Sequence, residues 1–145
     1  LIIRQAEEND LQQILQLYAQ LEKDKNCGIS ITAASDIFSK MKRYPDYSIY
    51  VAELNGEIVG TFALAIMDNI AHMGASSGIV EDVVVSEDYR RKGIGKEMMT
   101  FAMDICRQKG CYKMALSSNQ NRNDAHRFYE SLGFRLHGYS FRVEL

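Results

Sequence analysis

Apolar residues recur along this chain with two periods, and the alternation between them outlines the fold. A short run, Ile2–Ala6, predicts a strand, and Leu11, Ile14, Leu15, Tyr18 and Leu21 then return at helical spacing, so a helix is expected to open near Asn9 or Asp10. After a polar break around Lys23–Gly28, the stripe Ala34, Ile37, Phe38, Met41 and Tyr44 predicts a second helix, capped by Thr32 and stopped by Pro45. Tyr47–Leu54 and Glu57–Met67 are β-rich runs joined by Asn55-Gly56, the pair that best tolerates the positive φ angles of a two-residue hairpin. A loop over Asp68–Ser77 leads into the β-branched run Gly78–Val85, which suits a buried central strand. Met98, Phe101, Ala102 and Ile105 mark a helix from Gly95 to Gly110, and Cys111–Ser117 reads as the next strand. Strand, helix, strand is a βαβ crossover, which makes Gly78–Val85 and Cys111–Ser117 parallel neighbours. Ala125, Phe128, Tyr129 and Leu132 predict a last helix ending at Gly133, and Tyr139, Phe141, Val143 and Leu145 alternate with polar residues as a half-buried final strand. The expectation is one α+β domain over residues 1–145, an α/β sandwich with a mostly antiparallel mixed sheet, a central parallel pair and helices on both faces.

Composition narrows the function. With 145 residues, 46% hydrophobic and 25% charged, the chain is an ordinary globular domain. Seventeen cations against nineteen carboxylates give a net charge of -2, which argues against a nucleic-acid partner. Cys27, Cys106 and Cys111 are odd in number and form no Cys-x-x-Cys pair, so neither a disulfide framework nor a metal site is expected. The opening residues turn polar too early for a signal peptide, and no apolar run approaches membrane-spanning length. A cytoplasmic location follows as an expectation.

One segment departs from the mildly acidic whole. Arg90, Arg91, Lys92 and Lys96 fall within seven residues around Gly93, Ile94 and Gly95, between the buried strand and the helix that follows. Amides of a helix's first turn lack intrahelical partners and carry the positive end of the macrodipole, and glycine lets a ligand approach the main chain. A phosphate-bearing ligand fits there. The spacing matches neither a nucleotide P-loop nor a dinucleotide fingerprint, and a solvated basic turn would use the same letters.

Arg90-x-x-Gly93-x-Gly95 resembles the Arg/Gln-x-x-Gly-x-Gly/Ala signature of the GNAT superfamily of acetyl-CoA-dependent N-acetyltransferases. Ile3-Arg4-x-Ala6 with Asp10, Asn55-Gly56-x-Ile58-Val59-Gly60 and Phe128-Tyr129-x-x-x-Gly133-Phe134 resemble its opening, first hairpin and C-terminal motif. Glu81–Val85 and Cys111-Tyr112-Lys113 are similar to stretches of glucosamine-6-phosphate N-acetyltransferases, although Ala125 stands where those enzymes carry Asn. The resemblance implies acetyl-CoA as acetyl donor, its pyrophosphate on Arg91–Lys96 and its pantetheine arm along Val83, Val84 and Val85, where splayed strands would offer free main-chain groups.

Acetyl transfer needs a proton taken from the amine and one given to the leaving thiolate. Tyr129 resembles the family's general acid, though the same helical stripe would also place it in a core. Glu81 is the expected base, because period-two alternation sets it on a face with Val83 and Val85 and turns Asp82 away; a solvated carboxylate at a strand entrance is the competing account. Arg122 stands where relatives face the cofactor, and His72 lies in the loop where the family builds its acceptor site. The expected reaction is direct transfer, in a ternary complex, to a small-molecule primary amine, a small amine or amino sugar being favoured. A protein N-terminal or lysine acetyltransferase and a non-catalytic acyl-CoA sensor are the alternatives. Neither a nucleic acid nor a membrane is an expected partner, and a homodimer through the final strand is consistent with its apolar face.

Overall fold

The computed structural model describes residues 1–21 and 28–145. Cys27 and nearly all of the expected polar break lie outside them. The chain forms two compact units, Leu1–Ala115 and Leu116–Leu145.

The first unit holds β1 (Ile2–Gln5), α1 (Leu11–Tyr18), α2 (Ile31–Met41), β2 (Tyr47–Leu54), β3 (Glu57–Met67), β4 (Ser77–Val85) and α3 (Ile94–Gln108). It also holds most of β5 (Lys113–Leu116), whose last residue begins the second unit. The five strands form one sheet in the order β1-β2-β3-β4-β5, antiparallel except for the β4/β5 pair. Asn55 and Gly56 adopt φ 53° and 83°, the hairpin geometry their chemistry predicts. Helix α2 starts two residues earlier than expected: the Ser30 hydroxyl, not Thr32, accepts the Ala33 N–H at 3.1 Å. Helix α1 is entered through a 3-10 turn, Glu8–Asp10, in which the Asp10 carboxylate accepts the Glu7 N–H at 2.7 Å. The Arg4 guanidinium donates to both Asp10 oxygens at 2.7 and 3.0 Å and to Glu53, which is why the opening motif needs Arg4 and Asp10 together.

Each face of the sheet has its own helices. Ile49, Val51, Ile58, Ala63 and Val84 pack with Leu11, Ile14, Leu17 and Phe38 of α1 and α2. Tyr50 and Phe62 stack at 5.2 Å on the other face, where Phe101 of α3 meets Tyr50 edge to face. There the sheet approaches α3 closely, since a Cβ on Gly60 would lie 2.7 Å from Met98 Sδ and one on Gly78 would lie 2.4 Å from Cys106 Sγ. Glycine at both positions lets helix and sheet meet. Burying each large side chain contributes about 2 kcal/mol.

The second unit is built around α4 (Asn123–Ser131), which ends on Gly133 at φ 91° as expected. The expected final strand is absent: Tyr139–Leu145 carries no ladder, and Phe141 is 92% exposed. Alternation specifies a strand only where a neighbouring strand and a core face accept it, and the second unit offers neither.

Candidate active site

Strand β4 departs from regular pairing beside Glu81, the candidate base. Thr61 pairs with Val84 and Ala63 with Glu81, so Asp82 and Val83 together stand opposite Phe62 in a β-bulge. Asp82 takes the extra turn at φ 52°, which Asp tolerates better than a β-branched residue. The bulge reverses the phase of the strand. Before it, Glu81 shares a face with Ala63; after it, Val84 occupies that face with Thr61. The expectation that Glu81 sides with Val83 and Val85 while Asp82 points away is therefore corrected. Glu81 lies on the face covered by α1 and α2, and Asp82 lines a cavity of about 320 Å³ on that same face.

Tyr18, Tyr47 and Phe38 also line this cavity. Burial, then the charge of Asp82, pushes the Tyr18 phenol up to about 12. Burial and the charges of Asp82 and Glu81 likewise hold Tyr47 above the ordinary tyrosine value, so both carboxylates act on one aromatic wall. Periodicity hid this arrangement; its one sequence signal is an Asp inside a β-branched run.

Beyond Val85 the main chain makes a short 3-10 turn, Glu87–Tyr89, and reaches α3 through Arg90–Gly93. Arg90 folds back, its Nε donating to the Val85 carbonyl at 3.4 Å. The Lys92 ammonium lies 4.8 Å from the centre of the Tyr89 ring. Gly93, at φ 82°, caps α3 with no side-chain acceptor, so the amides of Ile94, Gly95 and Lys96 stand without intrahelical partners. Gly93 and Lys96 are exposed and Ile94 is buried, anchoring the turn in the core. Strand β5 spans four residues against nine in β4 and enters beside Ser76, whose carbonyl accepts the Tyr112 N–H at 2.9 Å. It is too short to run along Asp82–Val85.

In the second unit, Arg122 precedes the first turn of α4 and Tyr129 lies near its end. Burial raises the Tyr129 phenol above its ordinary value, and the Arg122 charge opposes the rise. Tyr129 packs on Phe128 at 5.2 Å and Phe134 at 5.6 Å. His72, by contrast, is stacked on Tyr112 at 4.3 Å.

Residues 10–134 match the acetyltransferase (GNAT) family. A glucosamine 6-phosphate N-acetyltransferase of Trypanosoma brucei brucei is 34% identical over 99% of this chain and 95% of its own length. An aminoalkylphosphonate N-acetyltransferase of Salmonella typhimurium is 29% identical over 99% and 90%. A solved protein of Agrobacterium tumefaciens superposes with a TM-score of 0.94 at 29% identity, with both chains covered completely. The matched span takes in β4 with its bulge, the glycine-capped α3 and Tyr129 on α4, and the chain belongs to the GNAT family of acetyltransferases.

Proposed function

We propose that this enzyme transfers the acetyl group of acetyl-CoA directly to a small-molecule primary amine, with the CoA pyrophosphate on the amides of Ile94–Lys96 and the cations Arg91, Lys92 and Lys96. The observation that carries this reading is the continuity of one segment: carboxylates at a bulge, a strand end that β5 does not accompany, and a glycine-capped helix start follow each other from Glu81 to Lys96. Main-chain groups of Val83, Val84 and Val85 suit the two amides of pantetheine, and Arg122 is a further cation for the CoA phosphates.

Chemically, the amine nitrogen forms a bond to the acetyl carbon while the carbon–sulfur bond breaks. Glu81 takes the ammonium proton, directly or through water, Tyr129 gives its phenolic proton to the departing thiolate, and the second proton shed by the acylated nitrogen restores the phenol. A bulge leaves main-chain groups outside the ladder, and an N–H there can stabilise the thioester oxygen as negative charge develops. The two acceptor classes this reading leaves to be distinguished are a small amine and an amino sugar, the latter supported by the trypanosome relative. A cytoplasmic setting is supported by free thiols at Cys106 and Cys111, and homodimerisation by the exposed aromatic residues of Tyr139–Leu145.

The test is thiol release from acetyl-CoA in the presence of a panel of amines, amino sugars and peptides. Amine-dependent release supports the reading. Tight acetyl-CoA binding with no release from any acceptor identifies a sensor instead, and release only with peptides identifies a protein acetyltransferase.

A further inference from the structure

We infer that the acceptor is a primary amine with an apolar alkyl or aryl body, held by its ammonium at Asp82, rather than a phosphorylated or polyhydroxylated amino sugar. The inference rests on the acetyltransferase reading and deepens it.

The cavity between α1, α2 and the sheet has about 320 Å³, at the low end of the roughly 300–1,000 Å³ usual for small-ligand sites. Its walls are apolar, with Leu15, Ile37, Phe38, Met41 and Ile49 among them, and Asp82 is the one charged side chain among the described residues that line it. Tyr18 and Tyr47 bring the two phenols of that lining. An ammonium group gains a counter-charge from Asp82 and the faces of two phenols, while its hydrocarbon body leaves water for the apolar walls. A sugar in the same place would bury more hydroxyls than Asp82 and two phenols can partner, and a phosphate would meet Asp82 with no cation among the described lining residues to offset the repulsion. The bulge supplies the selectivity, because only the positive φ at Asp82 sets a carboxylate into the cavity beside Glu81. The ammonium is thereby held by the residue that follows the proposed proton acceptor, Glu81, along β4.

Calorimetry on the full chain with CoA present compares phenethylamine, hexylamine, glucosamine and glucosamine 6-phosphate, and thiol release from acetyl-CoA is measured with the same four. Phenethylamine and hexylamine are expected to bind at least tenfold more tightly than either sugar. Asp82→Asn keeps a residue that tolerates the bulge and is expected to weaken phenethylamine binding at least tenfold with CoA binding unchanged. Ile37→Arg, at a position 46% exposed on the cavity wall, is expected to move the preference at least tenfold toward glucosamine 6-phosphate. Equal or tighter binding of either sugar to the wild type overturns the inference, as does an Asp82→Asn variant that binds phenethylamine normally. Selective phenethylamine binding with no thiol release from any of the four amines leaves the cavity assignment standing and sinks the acetyltransferase reading instead.

Discussion

The rings of Tyr129 and Phe134 meet edge to face with centroids 5.6 Å apart, because the chain reverses between them. The Phe134 N–H donates to the Tyr129 carbonyl at 3.1 Å and the Gly133 N–H to that of Glu130 at 3.0 Å, a paired closure that brings the residue two past the helix cap onto the last turn. The motif Phe128-Tyr129-x-x-x-Gly133-Phe134 is thus one device: the glycine turns the chain and Phe134 holds the phenol's ring.

Tyr129→Phe preserves that packing and removes only the hydroxyl. Turnover is expected to fall about 100-fold, with the acetyl-CoA dissociation constant within twofold of wild type, measured by thiol release and calorimetry. The acid must be protonated to act, and burial raises its pKa, so the wild-type rate should show no loss attributable to Tyr129 until the pH exceeds the ordinary tyrosine value near 10. Phe134→Ala should lower kcat about tenfold, on the order of 1.4 kcal/mol, with KM little changed, and Phe134→Leu should recover most of it. Full activity in Tyr129→Phe removes it as the acid.

Gly78 lies beneath α3 with no room for a side chain. Its ideal Cβ would stand 2.4 Å from the buried Cys106 Sγ, so Gly78→Ala forces helix and strand apart. A loss of about 2 kcal/mol is expected from urea unfolding. Cys106→Ala removes the obstructing sulfur, and the double variant should be more stable than Gly78→Ala alone. Additive losses would place the strain elsewhere.

Most of the scaffold was legible because its signals are local. Asn55-Gly56 fixed the hairpin and Gly110 and Gly133 the helix ends, since positive φ at those positions follows from residue chemistry alone. The bulge at Asp82 was not legible, because a strand's phase depends on its partner's register, and one inserted residue changes which side chains face the cavity. Simple alternation points to Glu81 but sets it on the wrong face; its placement opposite Ala63 comes from pairing that no single strand encodes. Tyr139–Leu145 shows the converse, an alternating pattern that joins no ladder.

Two glycines flanking α3 separate ligand binding from backbone strain. Gly93 precedes the helix at φ 82° and Gly110 follows it at φ 73°, and neither has any atom within 4 Å of an added Cβ. Alanine at either position should cost about 1–2 kcal/mol from the left-handed conformation alone. Only Gly93→Ala should also weaken acetyl-CoA binding, by about tenfold in calorimetry, because it lies where the main chain meets the pyrophosphate. Equal affinities in the two variants would remove the glycine turn from the CoA site.

Asp10 makes the stability of the first unit depend on pH. It is 7% exposed, and its hydrogen bonds from Arg4, chiefly, and from the Glu7 N–H hold its carboxyl below the ordinary value of 3.8. A depressed folded-state pKa means that the unfolded chain binds the proton first as pH falls. The stabilisation is therefore complete above the unfolded value and is lost as pH drops from about 4 through the folded pKa. Asp10→Asn removes the charge and leaves Glu53 as the carboxylate paired with Arg4, a loss of about 2 kcal/mol at pH 7. Urea unfolding at pH 7, 5, 4 and 3 should show the gap between wild type and variant constant down to pH 5 and narrowing below pH 4. A gap that stays constant to pH 3 would mean that Asp10 acts through packing rather than through its charge.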